Sequence, residues 1–479
     1  MAIRLAVCVA GTALAGIIGG CSSPFDPTHN FSRSYARSLP DNTKSRPMSV
    51  FREDESKSDT AMITLSADAS ADDYVRYALY HSPAVEAAYQ RWLAASDRLP
   101  QVRALPDPRL NFGFFLDEVE TRTGAQQSRI GVSQAFPWPG LLSDREDAAA
   151  LTARAAWRVF ERARLSVTER VVSSLHEIGY LDAAIRITRE NLELLQSFEE
   201  VVRARYRVGA GSHPELVRVQ VELGQLEDRL AQLVAMRPVY VAELNAALNR
   251  QSDEAVSVLG DLPGRVATSD GSSLADLARQ TNPALLAFDE RMEAERVLTE
   301  VARQEGLPDF VVGLDYIVTD EAIDSSIPES GDDPILLSFG ITLPLSRDKY
   351  DAGVREAMAR RLAVSHDRAD EANRIAAAIQ RAWFEHTDAD RRAILYENTL
   401  IPKAEESLRA SLAGFRAGDT SFLDLLDTER TLLEFAIAAE RARADRGQAL
   451  ARLNRLVGQP VPTAPAGTES RESVPEDTP

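Results

Sequence analysis

The chain has 479 residues, 44% of them apolar and 27% charged, which is too apolar for a mostly disordered protein and enough for two or three real cores. Its 54 basic against 73 acidic residues leave a net charge of −19, and with no Lys/Arg-rich run this argues against nucleic acid as a partner. Two cysteines, Cys8 and Cys21, can build neither a disulfide scaffold nor a Cys-based zinc site, and no run of about 18 apolar residues supplies a bilayer-spanning helix.

The N-terminus reads as an address. Arg4 gives a positive start, and residues 5–18 form an apolar run too short to span a bilayer. The run ends in Ile18-Gly19-Gly20-Cys21, followed by Ser22 and Ser23. An aliphatic residue, two small residues and a cysteine resemble a bacterial lipobox, whose cysteine is lipidated and becomes the new N-terminus. An ordinary secretory signal with a chance cysteine is the competing reading. Ser22 in place of Asp fits, within that resemblance, sorting to the outer membrane. Residues 1–20 are therefore expected to be removed, Cys8 with them, leaving Cys21 as the lipidation site and no thiol for chemistry. Acyl chains contribute about 0.8 kcal/mol per buried CH₂, so a multiply acylated Cys21, carrying palmitate-type chains, would be a firm tether. Residues 21–71 are rich in Ser, Asp, Arg and Pro without apolar periodicity, and are predicted to be an extended linker.

From residue 72 the sequence is written twice. His81-Ser82-Pro83-Ala84-Val85 returns as Thr281-Asn282-Pro283-Ala284-Leu285, Leu105-Pro106-Asp107 as Leu307-Pro308-Asp309, and Phe136-Pro137 as Leu343-Pro344. Tyr206-Arg207-Val208-Gly209 returns as Phe415-Arg416-Ala417-Gly418, and Leu244-Asn245 as Leu453-Asn454. A duplication of this length predicts two similar halves, residues 72–250 and 274–458, joined by a linker at 251–273. Each half is predicted to run helix, two strands, two long helices. The first half has strands at about 109–117 and 128–136 and helices at about 141–208 and 212–248. The second has strands at about 309–318 and 335–343 and helices at about 350–416, interrupted at Pro402, and 421–457. Ala, Leu, Arg and Glu dominate the long segments, and 141–208 alone would extend roughly 100 Å as a coiled-coil-like helix. The Pro/Thr/Ser/Glu-rich tail at 459–479 is predicted to be disordered.

The four strands alternate with period two. Leu110, Phe112 and Phe114, then Ile130 and Val132, then Phe310, Val312 and Leu314, then Leu337, Phe339 and Ile341 fall on one face. Arg129, Gly131, Ser133, Gly313, Asp315, Ser338 and Gly340 fall on the other. Strands of about nine to eleven residues, apolar on one side and polar or small on the other, suit a transmembrane β-barrel with the apolar set facing lipid. A half-buried sheet in a soluble α+β domain is the plainer reading of any one strand taken alone. Four strands cannot close a wall, and an open edge in lipid leaves backbone groups unpaired at several kcal/mol each, so the chain must oligomerise if they span. Two copies give eight strands and a filled lumen; three give twelve and room for an aqueous path, which the small inward residues favour.

Taken together, the duplication, the Ser82-Pro83-Ala84 and Asn282-Pro283-Ala284 openings, the Phe136-Pro137-Trp138-Pro139-Gly140 turn and the stretch from Phe415 to Asp427 resemble the TolC-like outer membrane efflux proteins over residues 72–458. The 136–140 turn is most similar to their heavy-metal branch. The resemblance implies a mainly α chain with a four-stranded transmembrane β segment, a homotrimer, a twelve-stranded β-barrel continuing into a periplasmic α-helical barrel, and an outer membrane location. It implies a passive export duct that takes substrate from a periplasmic adaptor protein and an inner-membrane pump, expected to be proton-driven. Gly209 and Gly418 break long helices where tight hairpins need a permissive backbone. By resemblance Val208, Gly209, Ala417 and Gly418 are the tips an adaptor grips. Asp424 and Asp427 match carboxylates that ring the narrow entrance, which would attract cations. Against that, Asp424 could simply cap a helix and Asp427 pair with Arg430. The first half has Glu215 and Arg218 at the equivalent positions, and Phe415 and Thr420 depart from the Tyr and Arg that hold the entrance shut in some relatives.

No catalytic constellation is legible. His176-Glu177 begins like a zincin motif, but Tyr180 stands where the second histidine belongs. There is no phosphate loop, nucleophile elbow or metal-ligand cluster, so neither enzyme activity, a cofactor nor a metal is expected. The remaining alternative is a periplasmic coiled-coil lipoprotein acting as a structural scaffold.

Overall fold

A computed structural model describes residues 65–66, 69–209, 211–256, 264–324, 328–417 and 419–466. Cys21 and Gly418 therefore lie outside the described residues, as do the leader and most of the first linker.

The first half opens with α1 (Ala71–His81), α2 (Pro83–Ser96) and α3 (Arg98–Arg103). Next come β1 (Arg109–Thr121), β2 (Gly124–Phe136), α4 (Leu141–Arg207) and α5 (His213–Leu248). The second half runs from β3 (Arg265–Ala267) through α6 (Gly271–Thr281), α7 (Pro283–Gln304), β4 (Asp309–Thr319) and β5 (Ile335–Thr342). It continues into α8 (Arg347–Leu395), a π-helical turn (Tyr396–Leu400), α9 (Ile401–Ala417), α10 (Phe422–Val457) and β6 (Thr463–Pro465). The chain is mainly helical, and none of its described helices is long and apolar enough to cross a membrane.

The duplication is visible in backbone geometry. Ser82 ends α1 and begins α2 at φ −69°, ψ 119°; Asn282 does the same between α6 and α7 at φ −67°, ψ 121°. Both precede proline, which forbids the helical conformation to the residue before it and pre-sets its own φ for a new first turn. The halves differ in detail. Asn282 is buried, accepts from the Ala284 N–H at 2.8 Å and donates to the Leu456 carbonyl at 2.7 Å, whereas Ser82 makes no side-chain capping bond.

The long helices pack side by side, α4 along α2, α5, α7 and α10, and α8 along α7 and α10. Small residues make this close approach possible. Ala153, Ala155, Ala184, Ala382, Ala389, Ala442 and Ala451 are all buried at helix contacts. Arginine–carboxylate pairs stitch helix to helix: Arg441 on α10, also held by Asp445 of its own helix, reaches Glu177 on α4 at 2.8 Å, Arg455 reaches Glu169 at 2.8 Å, and Arg237 on α5 holds Asp182 at 2.5 Å. His176 is buried on α4, and burial together with Arg446 and Arg441 pushes its pKa down to about 4.

Two expectations are corrected. The tail is not disordered throughout: its β6 pairs antiparallel with β3 of the linker, Val266 opposite Ala464. The buried ring of His386 anchors that pair. Its Nε2 accepts from the Ala267 N–H at 3.0 Å, and its Nδ1 donates to the Arg446 carbonyl at 3.0 Å. The interruption expected at Pro402 takes the form of a π-helical turn at Tyr396–Leu400 between two α-helices. A proline removes one N–H and crowds the carbonyl four residues back; the π-helical turn just before it widens the coil and lets the chain continue into α9. Last, Arg430 pairs with Glu222 at 3.6 Å and Glu434 at 3.8 Å rather than with Asp427.

Candidate functional site

β1, β2, β4 and β5 form one antiparallel sheet in that order, so the central strands come one from each half. Register places the apolar residues in rows. Leu110, Val132, Leu314 and Leu337 lie abreast, as do Phe112, Ile130, Tyr316 and Ile335. Gln134, Val312 and Phe339 make a third row, and Phe136, Phe310 and Ile341 a fourth. This face is bare: Phe112, Phe114 and Phe339 are 63%, 77% and 76% exposed, and of the expected lipid-facing set only Val312 is even half-buried. A register shift between Phe114 and Val119 breaks the alternation and brings Phe115 and Leu116 out as well.

The reverse face carries Asn111, Gly131 and Asp315 abreast, and Arg109, Ser133, Gly313 and Ser338 beside them. Its side chains are mostly small or polar, with Val311, Ile317 and Leu336 as apolar exceptions, and Arg129 reaches Asp315 at 2.6 Å. The hairpin ends are tied together beyond the sheet, with the Gly331 N–H on the Thr123 carbonyl at 2.7 Å and Arg122 on Glu329 at 2.7 Å. Among the described residues β1 and β5 each have a strand neighbour on one side only.

At the far end of the long helices stand two αα-hairpins. The first turns at Val208, 78% exposed, and Gly209, whose φ of 74° is one that a side chain with Cβ rarely adopts. The Ser212 N–H then donates to the Glu215 carboxylate at 3.1 Å, starting α5. The second turns after exposed Ala417, where the Asp419 N–H closes on the Gly414 carbonyl at 2.9 Å. Ser421 and Asp424 form a reciprocal capping box, the Ser421 hydroxyl donating to Asp424 at 2.7 Å. Asp424 is thus a cap, yet both it and Asp427 stay exposed. Asp427 lines an open cleft between α9 and α10 with Lys403, Ser407, Thr428 and Thr431.

Beneath the hairpins lies an apolar core of Leu195, Phe198 and Val202 from α4, Val219 and Leu226 from α5, and Phe415, Phe422, Leu425 and Leu433 from α9 and α10. Arg205 covers the Phe415 ring at 4.6 Å. Into this core projects Glu429, only 2% exposed, its Oε1 buried without a hydrogen-bond partner. Burial, aided by nearby Glu222, pushes its pKa up to about 7. Sequence reading missed Glu429, although a carboxylate three and four residues from Leu426, Leu425 and Leu433 was the available signal. From sequence Arg129 and Asp315 are legible only as inward residues, since which cation meets which carboxylate depends on pairing between the two halves.

Among the described residues no cluster of His, Cys, Asp or Glu could hold a metal ion. The chain's geometry offers instead a one-sided apolar sheet, a polar reverse face, and helices leading from it to two exposed turns.

Comparison with known proteins agrees. Residues 274–459 match the family described as outer membrane efflux protein. The cobalt-zinc-cadmium resistance protein CzcC of Cupriavidus metallidurans is 21% identical over 369 residues, covering 75% of this chain and 82% of its own. The outer-membrane channel OprN superposes with a TM-score of 0.68 at 17% identity, covering 81% of this chain and 89% of its own. The outer membrane protein VceC of Vibrio cholerae gives 0.67 at 18% identity, covering 81% and 96%.

Proposed function

We propose that this chain is a TolC-like outer membrane efflux protein, the outer membrane channel component of a tripartite efflux system, and that its residues build the duct as follows. Three copies associate edge to edge, β5 of one beside β1 of the next, into a twelve-stranded barrel. The single observation that carries this is a sheet bare and apolar on one face whose two edge strands, among the described residues, have no outer partner. In lipid each unpaired backbone group would cost several kcal/mol, so closure by neighbouring subunits is the state in which such a sheet can span. The Leu110 and Phe112 rows face acyl chains, and the Ser133 and Gly131 rows line the path.

The long helices of three copies continue the path as a periplasmic tube. Val208, Gly209, Ala417 and Gly418 dock a periplasmic adaptor, which connects the duct to an inner-membrane pump. Asp424 and Asp427 from three copies ring the entrance with carboxylates and favour cations there. Cys21, after removal of residues 1–20, carries the lipid that tethers each copy. The cobalt-zinc-cadmium resistance relative supports divalent metal cations as the cargo class.

The test is direct. Outer-membrane fractions should contain heat-modifiable trimers that conduct ions in planar bilayers, and hydrophobic photolabels should mark Phe112 and Phe339. Recovery of unassociated, non-conducting protomers from native envelopes, with those side chains unlabelled, would overturn the duct architecture.

A further inference from the structure

Where β2 and β4 pair, over residues 126–136 and 310–319, the only charged side chains are Arg129 and Asp315. They sit on the two central strands, away from the edges, on the face opposite the apolar rows. Arg129 lies opposite Ile317 and Asp315 opposite Gly131, so the two charges are one diagonal step apart and close to 2.6 Å. Gly131 makes the pairing possible. A Cβ there would fall 1.8 Å from Asp315 Oδ1, so only a residue without a side chain lets the carboxylate lie back across β2. The two charges are unequally presented: the Asp315 side chain is 8% exposed, the Arg129 side chain 45%. A solute passing this face meets guanidinium, with its countercharge held beneath.

We propose that the Arg129–Asp315 pair is a charge-selectivity element of the duct, distinct from the carboxylates at the periplasmic entrance. The assignment rests on the trimeric reading above, which brings three pairs to one level of the bore. Fixed charges on the wall of a narrow path act on ions within about a Debye length, roughly 8–10 Å at moderate salt, so a paired level is close to neutral and an unpaired one is not. Removing the carboxylate leaves three bare guanidiniums facing the path. Removing the guanidinium leaves three bare carboxylates. The pair therefore sets how strongly the barrel discriminates between small cations and anions, and by the same physics between cargo of opposite charge.

The experiment uses full-length trimers in planar bilayers under a KCl gradient, reading the reversal potential. Asp315→Asn should shift the K⁺/Cl⁻ permeability ratio toward Cl⁻, and Arg129→Gln toward K⁺, each by about twofold or more. The exchange Arg129→Asp with Asp315→Arg should return it to the wild-type value. The series is repeated with Asp424→Asn and Asp427→Asn, so that the entrance does not mask the barrel. Trimers that conduct yet keep one permeability ratio through both series, or move the same way for both single variants, overturn the selectivity role alone. Wild-type protein that forms no conducting trimers overturns the duct architecture, and the selectivity role with it. Arg129→Gln leaves a buried carboxylate unpaired; should it not assemble, Asp315→Asn, which leaves only a half-exposed arginine, decides the matter.

Discussion

Glu429 occupies a position that the apolar stripe of α10 would give to a hydrophobe, and its pKa near 7 follows from that burial. The groups facing it are Asn191 from α4 and Glu222 from α5, with Arg430 beside it on its own helix. An unfolded glutamate titrates near 4.5, so between that pH and about 7 the folded side chain keeps a proton the unfolded one has released. Stability contributed by the neutral form is whole below pH 4.5, falls as pH rises through this window, and levels off above it. The loss amounts to about 3 kcal/mol at 1.36 kcal/mol per unit. Glu429→Gln should flatten the dependence and raise stability at pH 8 by about 1–3 kcal/mol, with no gain near pH 4.5. Denaturant midpoints of detergent-solubilised protein across that range measure it; a wild-type midpoint that ignores pH would refute the assignment. Asp424 poses a different question, because it is both cap and entrance candidate. Asp424 is the N3 member of the box, and an Asn side-chain oxygen can accept from the Ser421 N–H as a carboxylate does, so Asp424→Asn keeps the capping bond and removes the charge, whereas Asp424→Ala loses both and costs about 1 kcal/mol. Asp424→Asn with Asp427→Asn should weaken conductance block by multivalent cations added on the periplasmic side, with assembly intact. Unchanged block would leave Asp424 a cap only.

The two X-Pro junctions test how far the duplicated elements have diverged. At the α6–α7 junction the Asn282 side chain satisfies one backbone donor and one backbone acceptor, both buried. Asn282→Ala orphans the Leu456 carbonyl and removes the cap, at a cost of about 2–3 kcal/mol. Ser82→Ala at the α1–α2 junction loses no side-chain cap and should cost under about 0.5 kcal/mol. Thermal dissociation of the two variant assemblies measures the difference; equal shifts would show that the junctions are energetically alike despite their geometry. These junctions also show why much of the element order could be read from residues alone. Proline before a helical run, glycine after one, and period-two alternation are local signals, and the strands, long helices and hairpin turns follow from them. What could not be read depends on partners distant in sequence. The pairing of β3 with β6 spans about two hundred residues and rests on His386, which no local pattern marks. Pro402 marked the interruption, but not its form, because a π-helical turn has no sequence signature. The site divides the same way. The apolar rows were legible strand by strand, whereas Glu429 and the Arg129–Asp315 pair acquire meaning only once the halves are packed together.

At the scale of the whole molecule the sheet is asymmetric in a way that adjacent residues can interrogate. Ser338 and Phe339 are neighbours on β5, and alternation sends them to opposite faces, Ser338 beside Gly313 and Phe339 beside Val312. A soluble scaffold would treat arginine at the two positions similarly, or prefer it at 339, where the side chain is already 76% exposed. A membrane-spanning barrel demands the reverse. Phe339→Arg would place a guanidinium against acyl chains, at about 2–4 kcal/mol per copy near the midplane, and a threefold assembly would feel that cost three times. Ser338→Arg would point into an aqueous path and cost little, while adding three positive charges to the bore. Phe339→Arg should therefore reduce outer-membrane trimers severalfold, and Ser338→Arg should retain them while lowering cation conductance. Quantifying trimers in envelope fractions, followed by bilayer recordings of those that form, reads both arms. Trimers that tolerate Phe339→Arg and are lost with Ser338→Arg would mean that the apolar face meets water and the polar face is the packed one, which no barrel in lipid can satisfy.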